Sequence, residues 1–210
     1  MFVLPALPYP YDALAPTVSD ATMHVHHDKH HAKYVETVNQ LTAKAGLRAA
    51  TLEEIVRQAK AGGDKKLFNN AAQAWNHAFF WLCMTPDRSE PEAELANAIA
   101  RDFGGLDKLR DAFVTEGGNQ FGSGWVWLTL HEGALKVFST HDADTPIVHD
   151  GCRPLLVCDL WEHAYYLDYK SDRKGFLEAW FDKVADWRFA SRQLTAREGW
   201  AYPERVAESA

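Results

Sequence analysis

Trp125-Val126-Trp127-Leu128-Thr129-Leu130 is the stretch that decides the fold class. Upstream of it, apolar residues return every three or four positions, as on helices. Here aromatic, β-branched and apolar side chains follow one another, as in a buried strand. A second strand is predicted at 135–140, joined to the first through His131-Glu132-Gly133-Ala134, and a third at 155–158 in PLLVC. Working back from the sheet, helices are expected at 106–117 and 93–103, broken at Gly104-Gly105. Further back come helices at 64–84, closed by Thr85-Pro86, and at 52–61, ended by Gly62-Gly63. The first helix is expected from Asp20, behind a Ser19 cap, to a stop at Gly46. Pro5, Pro8, Pro10 and Pro16 keep the segment before it extended. Beyond the sheet, helix returns near Tyr165 and again over 175–194.

The polar segment TPDRSEPEAE carries two prolines and marks a domain boundary. The reading is therefore α+β. A helical domain over residues 1–88, folded as an antiparallel hairpin, precedes a domain over 89–210 whose three-stranded antiparallel sheet is flanked by helices. From about residue 198 the tail is polar and expected to be loosely held.

Composition narrows the function. The chain has 210 residues, 47% hydrophobic and 24% charged, with no apolar run of membrane-spanning length. Its net charge of −7 and the lack of a basic stripe argue against nucleic acid. An anionic substrate would have to be drawn in by local lysines and arginines. Residues 1–10 carry neither the basic nor the apolar region of a signal peptide. The three cysteines have no metal or redox spacing, so unreactive thiols in a reducing, cytoplasmic compartment are expected.

His24-Val25-His26-His27-Asp28-Lys29-His30-His31 holds five of the ten histidines. His26, His30 and Tyr34 are spaced by four and share the apolar face of a helix. His24, His27 and His31 fall off that face and are expected to face solvent, as is Asp28. Gln73 and His77 form a similar pair, set among Asn69, Asn70, Trp75, Phe80 and Trp81. On spacing alone, core histidines with one satisfied hydrogen bond account for these pairs as well as metal ligands do. Asp159 ends the apolar strand PLLVC, and His163 follows four residues later. A buried carboxylate is unfavourable unless paired or metal-bound. Three imidazoles and one carboxylate suit iron, manganese or zinc.

HVHHDKHHAKY (24–34), FNNAAQAWNHAFFW (68–81), FGSGWVWL (121–128) and DLWEHAYYLDY (159–169) together resemble the iron/manganese superoxide dismutase family. The resemblance extends over nearly all of residues 2–194. It implies conversion of two superoxide anions, with protons, to dioxygen and hydrogen peroxide by alternate reduction and oxidation of one bound iron, or alternatively manganese. It implies His26, His77, Asp159 and His163 as metal ligands, with solvent as a fifth. Gln73 would lie in reach of that solvent, with Tyr34 and His30 at the mouth of the substrate channel. Trp81, Trp125 and Trp161 would wall the pocket.

The same resemblance implies a homodimer, with a tetramer also open. Glu162 would reach His163 of the partner subunit, and Tyr166 would reach His30 of the partner subunit. Lys29 and Arg173 are candidates for steering the anion, a solvated surface role being the alternative. The channel-side amide sits in NNAAQ as Gln73, while the other position a family member can use, in STHDADTP, is Ala143. This resembles the iron branch. Lys174, where the family usually has proline, and a longer tail after Leu194 depart from its pattern. A non-redox zinc site of the same ligands would leave Gln73, Tyr34 and the tryptophans unexplained, and no HExxH is present. A metal store would call for several carboxylates per site. Gly122-Ser123-Gly124 leads into a strand, so a phosphate loop is discounted.

Overall fold

Ser19 opens the first helix, its hydroxyl accepting from Thr22 N at 3.2 Å. In the computed structural model, which describes residues 1–47 and 51–203, that helix is not uniform. Helix α1 (Asp20–Val25) leads into a π-helical segment, His26–His31, and then α2 (Ala32–Lys44). A capping box of Thr51 and Glu54 starts α3 (Leu52–Gly62), and Gly63 ends it with φ +71°. Asp64 caps α4 (Lys65–Leu82), which is buried along most of its length because α2, α3 and the sheet all pack on it.

After α5 (Ala93–Phe103) and α6 (Leu106–Asn119) come the strands β1 (Gly124–His131), β2 (Ala134–His141) and β3 (Cys152–Asp159). They form one antiparallel sheet in the order β2-β1-β3. Glu132 and Gly133, both at positive φ, make the two-residue turn between β1 and β2. The β1–β3 register slips between Leu128 and Thr129, opposite Pro154, which has no N–H for the ladder. Gly124 is a steric requirement rather than part of a ligand loop, because a Cβ there would collide with the Thr140 carbonyl oxygen. The fold is thus a helical hairpin domain followed by a three-stranded α+β domain. Among the described residues no helix is long and apolar enough to cross a membrane.

Four expectations change. His27 and His31 are buried, not solvent-facing. The π segment has about 4.4 residues per turn, so it turns positions inward that an α-helix would leave outside. The helix expected near Tyr165 is short, a 3₁₀ turn (Glu162–Ala164) followed by α7 (Tyr166–Tyr169). The helix expected over 175–194 is two, α8 (Arg173–Lys183) and α9 (Trp187–Thr195). Between them, Val184 O accepts from Thr85 N and Asp186 N donates to Cys83 O, both at 2.8 Å, and Asp186 then caps α9.

The tail is also not loose where it is described. Trp200 packs edge-on to Trp75 at 5.3 Å, and Tyr202 is buried with its hydroxyl donating to Val3 O at 2.8 Å. Two aromatic side chains in a polar stretch gain more from the core than from water. The remainder of that tail, 204–210, lies outside the described residues. Cys83 and Cys158 are buried free thiols, and burial pushes both well above their ordinary pKa.

Candidate metal centre

The π segment, α4 and the end of β3 meet at one point. His26 Nε2 lies 3.0 Å from Asp159 Oδ2, His163 Nε2 3.4 Å, and His77 Nε2 3.6 Å. One ligand atom from each of the four residues falls within 4.8 Å of all the others. The other carboxylate oxygen, Asp159 Oδ1, accepts from Trp161 N at 2.8 Å. Oδ2 is therefore the oxygen turned to the imidazoles.

Protonation is set by the surroundings. His77 Nδ1 bonds the Gln73 carbonyl oxygen at 2.8 Å. A carbonyl only accepts, so Nδ1 carries the proton and Nε2 presents its lone pair. Burial lowers His26 to about 4 and His77 well below its ordinary value. Burial by itself raises the Asp159 carboxyl, but the adjoining His163 and His26 outweigh it and hold the group below the usual carboxylate range. Two neutral imidazoles, that of His77 with its tautomer fixed, thus face an ionised carboxylate.

The buried Nε2 atoms of His77 and His163 have no hydrogen-bond partner among the described residues. Buried polar atoms are rarely left so, and here two converge on an anion. A cation of first-row type satisfies both nitrogens and the carboxylate at once, so the residues fit a metal ion.

The surrounding groups are ordered in turn. Trp125 Nε1 donates to Gln73 Oε1 at 3.1 Å, which turns the amide nitrogen toward Tyr34 Oη, 3.5 Å away. The Tyr34 ring lies 5.3 Å from that of His77, and burial raises its phenol, with Asp159 adding to the shift. His30, half-buried, stacks on His163 with centroids 4.0 Å apart. The ring centroids of Trp81, Trp125 and Trp161 lie 4.8, 4.9 and 5.7 Å from those of His26, His77 and His163 respectively.

A cavity of about 260 Å³ is lined by Gly122, Ser123, Trp161, Glu162, His163 and Arg173. Arg173 donates to Tyr165 Oη and to the carbonyls of Gln120 and Gly122. Lys29 is exposed and does not line this cavity. Glu162 and Tyr166 are exposed.

Sequence reasoning missed two residues. His31 Nε2 donates to Ala74 O at 3.0 Å, and its Nδ1 accepts from Trp81 Nε1 at 3.0 Å, so it joins the π segment to α4. The only signal for it is the doubling of His26-His27 and His30-His31, four apart. Asn76 Nδ2 reaches the carbonyls of Ala143 and Asp144, both at 3.4 Å, with no sequence signal beyond its place on α4.

Comparison with known proteins gives these groups a context. A family model described as iron/manganese superoxide dismutases, alpha-hairpin domain, matches residues 1–85, and one for the C-terminal domain matches residues 91–193. The chain belongs to the iron/manganese superoxide dismutase family. An iron superoxide dismutase of Entamoeba histolytica is 45% identical over 92% of this chain and 99% of its own length. An iron superoxide dismutase of Synechocystis is 44% identical over 93% and 98%. A manganese superoxide dismutase of Rhizobium meliloti is 45% identical over 90% and 94%. The four converging donors come from both matched domains, two from each.

Proposed function

We propose that this protein is a superoxide dismutase, converting two superoxide anions and two protons to dioxygen and hydrogen peroxide at one bound iron. The observation that carries this reading is the convergence of three imidazole nitrogens on Asp159 Oδ2, two of them buried and without a hydrogen-bond partner among the described residues. When bound, the metal supplies a one-electron couple between the two superoxide couples, so it can oxidise one anion and reduce the next. Manganese is the second reading, since the 45% identical Rhizobium relative carries that name.

The roles of the chain's residues follow from chemistry. Asp159 is the single anionic ligand and favours the more highly charged ion. Gln73, fixed by Trp125, presents amide protons on the channel side. Tyr34 holds a proton at Oη and hands it inward toward departing peroxide. Trp81 and Trp125, both buried, keep bulk water from the ligands. Arg173, at the cavity beside His163, supplies local positive charge against the net −7, with Lys29 a second candidate on the outer surface.

A homodimer is part of this reading. Phe121 is 92% exposed, Leu167 51% and Tyr166 45%, an apolar set near the exposed Glu162. Glu162 would accept from the second nitrogen of His163 of the partner subunit, as ligating histidines require. Tyr166 would bond His30 of the partner subunit. The proposed domains are 1–88 and 89–210, and three free cysteines suit a cytoplasmic setting.

Elemental analysis of the purified protein, followed by a superoxide assay after reloading with iron, manganese or zinc, tests the reading. Activity restored by iron, or by iron and manganese, is expected. A folded, fully loaded protein that leaves superoxide at its uncatalysed rate of decay refutes it.

A further inference from the structure

Residues 196–202 run along the molecule beyond the stretch the family models match, and they are bonded to one of the elements that frame the His77–Asp159 contact, β3, and packed against the other, α4. At the root of this strap, Arg153 of β3 donates to the carbonyls of Ala196 and Arg197, and to those of Gln193 and Leu194 at the end of α9. Strand β3 ends at Asp159. Further along, Trp200 N donates to Gln193 Oε1 at 3.2 Å, and the indole packs on Trp75 and Phe79 of α4. Tyr202 N and Trp75 Nε1 both donate to Glu53 Oε1, at 2.6 and 2.7 Å.

Trp75 and Phe79 lie about 160° around α4 from Gln73 and His77. The strap therefore presses on the back of the helix whose front carries His77 and Gln73, while its root is fixed to the strand that carries Asp159. We infer that the strap sets the spacing of α4 and β3, with Trp200 and Glu53 as positioning residues for the approach of His77 to Asp159. This inference rests on the reading of His77 and Asp159 as metal ligands. Removing the Trp200 indole opens space behind α4 into which the helix can relax, drawing His77 Nε2 away from the carboxylate. The contacts involved are aromatic packing and hydrogen bonds made by the Arg153 guanidinium and the Glu53 carboxylate, so Trp200→Ala removes packing and Glu53→Gln weakens the two bonds that Oε1 accepts.

The test measures metal release from the loaded full-length protein to excess chelator, well below the unfolding temperature. Wild type is compared with Trp200→Ala, Trp200→Phe, Glu53→Gln and a control, Leu109→Ala, which lowers Tm through a fully buried residue of α6. Release is expected to be about tenfold faster in Trp200→Ala, the lower end for residues that support metal ligands. It should also rise in Glu53→Gln, return toward wild type in Trp200→Phe, and stay at the wild-type rate in Leu109→Ala. Should Trp200→Ala fail to fold, Glu53→Gln carries the comparison. Wild-type release in Trp200→Ala or Glu53→Gln despite a lower Tm, or equal acceleration in Leu109→Ala, overturns the inference alone. Full metal retention in His77→Ala overturns the ligand reading and this inference with it.

Discussion

The backbone amide of Trp161 donates to Oδ1 of Asp159 at 2.8 Å, and this bond orients the carboxylate. With Oδ1 held from behind, Oδ2 is the vertex at which His26, His77 and His163 meet. The amide follows Asp159 by only two residues, so the strand end and the orientation of its carboxylate are built together.

Because His77 is the ligand candidate that α4 supplies, His77→Ala should leave the purified protein essentially free of metal while its far-UV circular dichroism stays that of wild type. Metal-to-protein ratio by elemental analysis is the readout, and full occupancy would remove His77 from the site. Asp159→Asn should lower occupancy as well, since it takes away the one carboxylate among the four candidate ligands.

Tyr34 touches the His77 ring and the Gln73 amide but points no ligand atom at Asp159. Tyr34→Phe should therefore keep its metal and lose turnover where proton delivery limits the rate, at high superoxide concentration. Pulse measurements across substrate concentration check this. Loss of metal in the variant would mean that the phenol has a structural or ligating role.

Trp81→Phe should destabilise the metal-free protein by about 1–3 kcal/mol, the usual consequence of leaving a buried acceptor unpaired. The acceptor is His31 Nδ1, fully buried, whose other nitrogen is committed to Ala74 O. Urea denaturation at neutral pH measures the difference. An unchanged midpoint would show that His31 finds another donor.

Asp102 ties α5 to β2, accepting from Leu135 N at 2.7 Å and from the Arg101 guanidinium at 2.6 and 2.7 Å. The Arg101 hydrogen bonds hold its carboxyl below the ordinary value of 3.8, helped by the Leu135 amide and the Arg101 charge against burial. A lowered carboxyl pKa adds stability that is complete above the unfolded value and is lost as pH falls through the folded one. Asp102→Asn should thus be less stable than wild type at pH 7, modestly so because Arg101 is exposed. The gap should close as pH drops below about 4. A gap that persists at pH 2 would show that the charge is not its source.

The strands, the helix stops and the polar residues of the site were legible from sequence because each depends on its neighbours along the chain. Gly63 ends α3 by adopting a left-handed φ that an L side chain resists, and Gly133 completes the turn from β1 to β2 for the same reason. Asp159 could be singled out because a carboxylate at the end of an apolar strand needs a partner wherever that strand lies. The π segment, the break between α8 and α9 and the docking of Trp200 and Tyr202 were not legible. Each is held by partners far away in sequence: His31 by Ala74, Asp186 by Cys83, Tyr202 by Glu53. Local periodicity carries the secondary structure and the residue types of the site. The tertiary fold decided which histidines are buried and where the tail lies, because hydrogen bonds and burial act between positions that the chain order keeps apart.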